Sequence, residues 1–376
     1  MPHLPTAKPQ DLGIDADRLE IAHKLLDSWT SGDNPPLPGA AMIVGRQGKV
    51  VEPRYFGKHG PEAGAPTIRR DGLFLMASIT KPITYLAGLI LLERGLFNLG
   101  DLVTKFFPDF AAHHKEETRV IHLFTHTSGL PDMVPSNREL RQEHAPLEKF
   151  IEAAMRDTVP LFPPGTSFSY QSMGTLMVAA LVQKLSGLTI HEFLRREVFE
   201  PLGMKSTALG SRTLDRERIV GLKVTGEQEP DWGWNSRYWQ EFGAPWGGMF
   251  STPEDMAIVC DLMIRGGEHS GTRLLAPATA RMMSTNRLDD LPDVSEPLRR
   301  TKAWGLGWQM NHPFADDSLC DLLTREAYGH LGATGTLMWI GPHLEGFFVL
   351  CTTAARDLAP WRLVAVSNAA AAAFMK

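Results

Sequence analysis

The strand-like segments of this 376-residue chain lie near its two ends, and that placement constrains the fold more than any other feature. Gly39 to Gly45 is a short apolar run, followed by Arg46-Gln47-Gly48-Lys49 and then Val50-Val51, the pattern of a β-hairpin. Thr336 to Ile340 and Phe347 to Thr353 flank the turn-rich Gly341 to Gly346 and read as two antiparallel strands. Helical signals occupy the rest. From Asp15 to Trp29, Leu19, Ala22, Leu26 and Trp29 share one helical face. Ser78 to Arg94 reads as a helix stopped by Gly95, and Gly174 to Ser186 as one stopped by Gly187. Thr252-Pro253-Glu254-Asp255 combines an N-cap, a proline at the first helical position and first-turn acids, and opens a helix that ends near Gly266. A last helix starts near Pro360 and takes in the Ala369 to Ala373 stretch. Strands from both ends must pair across everything between them. The expected class is α/β plus all-α: residues 1–77 and 241–376 build an antiparallel sheet flanked by helices, and residues 78–240 form an inserted, mainly helical lobe.

Hydrophobic residues make up 43% and charged residues 22%, enough apolar material for a large core. The net charge of −5, with scattered basic residues, argues against nucleic-acid and anionic-membrane partners. Cys260, Cys320 and Cys351 are odd in number and far apart, which reads as reduced buried thiols rather than a disulfide framework. Met1-Pro2-His3-Leu4-Pro5 lacks a basic region followed by an apolar stretch, so the expected location is cytoplasmic. The apolar run Ile83 to Leu92, bracketed by Lys81 and Glu93, is too short to span a bilayer and reads as a core helix. Oligomeric state has no sequence signature here.

Three segments carry chemistry. A serine hydroxyl needs a base within hydrogen-bond reach to act as a nucleophile. Ser78 and Lys81, at i and i+3, share a helix face, and a partly desolvated lysine has a lowered pKa. Taken alone, this four-residue pattern is common, and an N-capping serine beside a solvated lysine explains it equally. Tyr170 closes a turn-rich run, Pro163 to Ser169, at the entry to a helix. A phenol beside a lysine ammonium is expected to have a lowered pKa and to exchange a proton with the serine. The plainer reading is an aromatic ring that packs its face and wets its hydroxyl. Tyr328-Gly329-His330-Leu331-Gly332-Ala333-Thr334-Gly335 precedes a strand, and its glycines are expected to let a substrate lie against backbone N–H groups that polarise a carbonyl. The alternative is a glycine-rich turn before an edge strand.

Together and in this order, Ser78-Ile79-Thr80-Lys81, Tyr170-Gln171-Ser172 and His330-Leu331-Gly332 resemble the three motifs of the serine β-lactamase and penicillin-binding-protein superfamily. Those motifs are Ser-x-x-Lys, Tyr-x-Asn or Tyr-x-Ser, and Lys-Thr-Gly or His-x-Gly. Tyr170 follows Ser78 by 92 residues and His330 follows Tyr170 by 160, which suits the class C-like branch. Phe124 to Leu130, Pro201 to Met204, Gly247 to Thr252 and Trp304 to Trp308 are also similar, and the likeness runs from about residue 15 to 370. The resemblance implies an active site in the cleft between two lobes and acylation of Ser78. It makes Lys81 and Tyr170 a coupled proton-transfer pair, with deacylation by water or another acceptor. It also implies an oxyanion hole made of the Ser78 and Ala333 N–H groups, beside His330 and Gly332.

Two departures bear on substrate. Ser172 stands where an asparagine amide is usual, and its hydroxyl is shorter. His330 replaces a lysine, a permanent cation, with a ring that is mostly neutral at pH 7. Both weaken recognition of an anionic β-lactam or peptide C-terminus, and the combination resembles the family VIII carboxylesterases. The expected function is therefore a serine hydrolase on short-chain or aryl esters, a small-molecule ester or amide being its partner and no cofactor being implied. The alternatives are β-lactamase, D-amino-acid peptidase or acyltransferase activity on the same machinery and, in another class, a non-catalytic binding protein. Ser172, Trp246 and Trp308 are the candidate substrate-binding residues, the tryptophans belonging to an aromatic set with Trp232, Trp234, Tyr238 and Trp239. His113-His114 and His122/His126 raise a metallohydrolase, but adjacent histidines point apart and no acidic ligand stands at a familiar spacing, so no metal is expected.

Overall fold

The computed structural model of the chain describes residues 3–224, 229–313, 315 and 317–375. Met1 and Pro2, the start of the N-terminal run considered above, lie outside them. Helix α1 (Ala16–Thr30) begins where the Asp15 carboxylate accepts the N–H groups of Asp17 and Arg18. Leu19, Ala22 and Leu26 are buried along it, and Trp29 packs edge-on against Trp361. Strands β1 (Gly39–Arg46), β2 (Lys49–Val50) and β3 (Arg54–Gly57) follow. The middle of the chain contributes α2 (Thr80–Glu93) and α3 (Met173–Ser186), and then α4 (Pro253–Ile264), capped by Thr252. The C-terminal part supplies β4 (Gln309–Met310), β5 (Tyr328–Gly332), β6 (Thr336–Gly341), β7 (Gly346–Thr352) and helix α5 (Trp361–Ala371).

The seven strands form one antiparallel sheet in the order β2-β1-β7-β6-β5-β4, with β3 also against β1. Its centre is the seam between the two ends of the chain, where Met42 faces Leu350 and Ile43 faces Val349. Period-two alternation sorts the side chains. Ala40, Met42, Val44, Leu337, Trp339, Phe348 and Leu350 join the core layer that holds Leu19, Leu26, Leu363 and Val366 of α1 and α5. Ala41, Ile43, Met338, Ile340, Phe347, Val349 and Cys351 face the opposite layer, with α4 and the helices beyond it. Strands buried on both faces read as continuous apolar runs, which is why β1, β6 and β7 stand out in the sequence.

The third motif is a finding against expectation. Tyr328–Gly332 is itself a fully buried strand, paired with β4 and β6, and the turn is confined to the residues after Gly332. The glycines serve strand packing here. A Cβ on Gly329 would lie 2.0 Å from the Met338 carbonyl oxygen, and one on Gly332 would lie 2.0 Å from Thr336 Oγ1 and 2.6 Å from the Met76 carbonyl oxygen. Gly332 thus brings β5 against the backbone just ahead of Ser78, and it also lines the cleft beside that serine.

Helix α2 is buried from Thr80 to Leu91 and packs on α3, so it is apolar nearly all round. It starts later than the sequence suggests: Ser78 lies in a 3₁₀ turn, Ala77–Ile79, that leads into it. A three-stranded sheet of Phe74–Leu75, Met249–Ser251 and Ala208–Leu209 fixes the segment before that turn. Among the described residues no single helix is long and apolar enough to cross a membrane.

Candidate active site

The turn carrying Ser78 is held from several directions. Thr334 Oγ1 donates to the Leu75 carbonyl (2.6 Å) and Thr336 Oγ1 to the Met76 carbonyl (3.0 Å), so β6 and the turn before it grip the backbone on one side. On the other side, Met249 N–H donates to Thr80 Oγ1 (3.1 Å) and Thr84 Oγ1 to the Pro245 carbonyl (2.6 Å). Ala77, between them, sits at φ +47°, a left-handed conformation that costs a residue with a Cβ about 1–2 kcal/mol. Surroundings that grip both flanks sustain such strain, and this one is stored next to the candidate nucleophile.

Lys81 Nζ donates to Ser78 Oγ at 3.1 Å and to the Trp246 carbonyl at 3.0 Å. Its side chain is buried, and loss of water pushes the ammonium down to about 7 against a small opposing pull from the Asp132 carboxylate. The Tyr170 ring lies 4.8 Å from Lys81 Nζ, and its hydroxyl is hydrogen-bonded to Ser78. The residue is 37% exposed at the cleft, but protein atoms crowd the hydroxyl. That crowding raises the phenol beyond its ordinary range, opposed by the Ser78 hydrogen bond and reinforced by Asp132. The lowered phenol pKa expected from the neighbouring lysine is thus reversed: desolvation disfavours the phenolate more than the Ser78 hydrogen bond favours it.

A bed of residues 126–132 positions Tyr170. Ser169 N–H donates to the His126 carbonyl (3.0 Å), Gln171 N–H to His126 Nδ1 (3.3 Å) and Gln171 Nε2 to Ser128 Oγ (3.2 Å). Ser172 gives both its N–H and its hydroxyl to Asp132 Oδ1, each at 2.8 Å. On the third side, His330 Nδ1 pairs with the Leu331 carbonyl at 2.7 Å, which makes Nδ1 the protonated nitrogen and leaves Nε2 as a bare acceptor. Burial and the nearby Lys81 charge drive His330 down to about 3, so the ring is neutral at pH 7. His126 is likewise pushed well below its ordinary value by burial, with Lys81 and His330 adding to the effect.

These groups open on a cleft of about 480 Å³ lined by Ser78, Phe168, Tyr170, Trp304, His330 and Ala333 among others. The Ala333 carbonyl accepts from Arg356 N–H (2.8 Å), which fixes the peptide following the third motif. Ser78, Lys81, Tyr170, His330, Gly332 and Ala333 therefore converge on one place from segments far apart in sequence.

Comparison with known proteins identifies the family and the fold. The family model described as Beta-lactamase matches residues 31–373. The chain belongs to the Beta-lactamase family. A Salmonella agona protein provisionally named D-alanyl-D-alanine carboxypeptidase is 23% identical over 376 residues, covering 91% of this chain and 84% of its own. The penicillin-binding-protein homologue of Caulobacter crescentus superposes with a TM-score of 0.76 at 22% identity, covering 96% of this chain and 99% of that one. A family VIII carboxylesterase gives 0.73 at 18% identity, with 94% and 98% covered. The mixed α/β architecture is the fold of these hydrolases.

Within this Beta-lactamase-family cleft, two aromatic candidates fall elsewhere. The Trp246 ring packs in the core against Phe150, Trp239 and Phe242, and only its carbonyl reaches the site, at Lys81. Trp308 is fully buried beside Tyr328. The tryptophan in the cleft is Trp304, with centroids 4.6 Å from His126, 5.7 Å from Phe168, 5.8 Å from Tyr170 and 5.7 Å from His330. Trp304 and Trp308 share one glycine-rich stretch without periodicity, so nothing in the sequence separates them. Ser172 is buried against Asp132 and does not line the pocket. His126 and Asp132 also belong to the site, the first within the Phe124 to Leu130 stretch and as a ring packed on Tyr170 rather than as a metal ligand. Their roles arise from long-range hydrogen bonds that no local pattern reveals.

Proposed function

We propose that the chain hydrolyses carboxylic esters through an acyl-enzyme on Ser78. The observation that carries this reading is the buried Lys81 ammonium, 3.1 Å from Ser78 Oγ and weakened by desolvation to about 7. Neutral Lys81 takes the Ser78 proton as Oγ attacks the carbonyl carbon. The negative charge that develops on the carbonyl oxygen is met by the Ser78 and Ala333 N–H groups. As the tetrahedral species collapses, the Tyr170 phenol gives its proton to the leaving alcohol and is reprotonated from Lys81. Water then attacks the acyl group by the reverse route, and Ser78 is released.

Esters are favoured over β-lactams and peptide C-termini on electrostatic grounds. His330 supplies a neutral ring, which offers a substrate carboxylate no charge to bind. Ser172 is drawn back onto Asp132 and offers no amide to a substrate. An assay with p-nitrophenyl butyrate beside nitrocefin tests the reading. Wild type is expected to turn over the ester at least 100-fold faster than Ser78→Ala, an order of magnitude typical for loss of a catalytic group. Nitrocefin turnover without ester turnover would reject it.

A further inference from the structure

Tyr170 ends a turn-rich loop and lies just ahead of α3, so no regular element fixes its side chain. One residue holds it from both directions. Ser169 N–H donates to the His126 carbonyl (3.0 Å), and Gln171 N–H donates to His126 Nδ1 (3.3 Å). Among the described residues, His126 is the one hydrogen-bond partner common to both flanks of Tyr170. The two bonds pin the peptides on either side and restrict the rotation that would swing the phenol away from Ser78. The imidazole adds a wall, packed on the Tyr170 ring with centroids 4.7 Å apart.

This arrangement is locally unfavourable for His126 itself. The residue is fully buried, and its backbone sits at φ +58°, a left-handed conformation adopted by few residues that carry a Cβ. Nδ1 accepts the Gln171 N–H, and burial keeps a second proton off the ring, so the proton is on Nε2. No protein atom among the described residues accepts from that nitrogen, and a buried donor without an acceptor is unfavourable. Strain of this kind persists where the surroundings over-determine a residue, and it gathers at functional sites. Here it falls on the residue that brackets the proton donor.

The chemistry says which substrates feel that bracket. An activated phenol such as p-nitrophenol leaves as a stable anion and needs little protonation. An alkoxide is a strong base, and its departure needs a proton delivered as the C–O bond breaks. Collapse of the tetrahedral species then gives acyl-Ser78 and a neutral alcohol, with the proton taken from Tyr170 and replaced from Lys81. We propose that His126 is the positioning residue for leaving-group protonation by Tyr170, and that its two-point hold extends the ester range to unactivated alkyl alcohols, an inference that rests on Ser78 acting as an ester hydrolase.

The test compares ethyl butyrate with p-nitrophenyl butyrate, which share an acyl group and differ in leaving-group basicity. Both pass through one acyl-enzyme, so kcat/KM isolates acylation. The quantity read is the ethyl to p-nitrophenyl ratio of kcat/KM. His126→Ala removes the ring and the acceptor, and its ratio is expected to fall about 100-fold, the order set by a displacement of about 1 Å in a reacting group. Asparagine tolerates the left-handed backbone and offers Oδ1 in place of Nδ1, so His126→Asn is expected to recover about tenfold of that loss. Tyr170→Phe has no proton to give and is expected to lower the ratio at least as far, with no further fall when His126→Ala is added to it. His126→Met, which fills the volume without an acceptor at that position, replaces His126→Ala throughout if circular dichroism shows the latter unfolded. Equal losses on both esters, a His126→Asn ratio no better than that of His126→Ala, or a further fall in the double variant each overturn the positioning role and leave the esterase reading standing. Wild type that cleaves only the p-nitrophenyl ester overturns it too, because no alkyl leaving group is then protonated. Wild type that cleaves neither ester overturns the esterase reading and the positioning role with it.

Discussion

Lys81 is surrounded by protein yet, among the described residues, has only a serine hydroxyl and a backbone carbonyl as hydrogen-bond partners. A lysine so placed loses water without gaining an ion pair, so its neutral form is populated near pH 7. The sign follows directly. The base form is needed, so kcat/KM on an ester rises as pH increases through about 7 and falls away below it. Tyr170 is raised, so it stays a phenol and a proton donor across that range. His330 and His126 are both held below their ordinary values, so neither changes charge near neutrality. A pH profile between 5 and 9 on p-nitrophenyl butyrate should show one ascending limb with its midpoint near 7. A flat profile would count against Lys81 as the base. Ser78, Lys81 and Tyr170 were legible in the sequence because their spacing and order carry information. The charge state of Tyr170 was not, because it depends on which protein atoms surround one hydroxyl.

At the scale of elements, the site depends on how closely a strand approaches a turn. Strand β5 lies against the Met76–Ala77 backbone only because Gly332 has no side chain, and Thr336 on β6 completes the contact. Gly332→Ala places a methyl within 2.6 Å of the Met76 carbonyl oxygen, so the Ser78 turn must shift. A shift of about 1 Å in reacting groups costs on the order of 100-fold in rate. The variant is expected to lose about that much kcat/KM while circular dichroism still reports a folded chain. An unchanged rate would show that the approach does not matter to the chemistry. The buried strands β1, β6 and β7 were readable as apolar runs bounded by turn residues. Strand β5 was not, because Tyr-Gly-His-Leu-Gly carries the glycine content of a turn, and only the paired neighbours Met338 and Thr336 show that it belongs to the sheet.

In the molecule as a whole, the sheet seam between β1 and β7 joins residues 300 or more apart, and the helix-rich middle of the chain presents Tyr170 to strand β5, its ring 6.0 Å from that of His330. The distribution of strands announced that closure, and the family match over residues 31–373 agrees with it. What the sequence could not announce is which long-range hydrogen bonds form across the closure. Asp132 reaches Ser172 over 40 residues, and the Trp246 carbonyl reaches Lys81 over 165. The central claim is that this convergence activates one serine. Treatment of the folded protein with a fluorophosphonate, followed by peptide mapping by mass spectrometry, tests it most directly. The account predicts a single covalent adduct on Ser78 that is lost on heat denaturation before labelling and in Lys81→Ala. An unlabelled folded protein, or an adduct on a different serine, would contradict it.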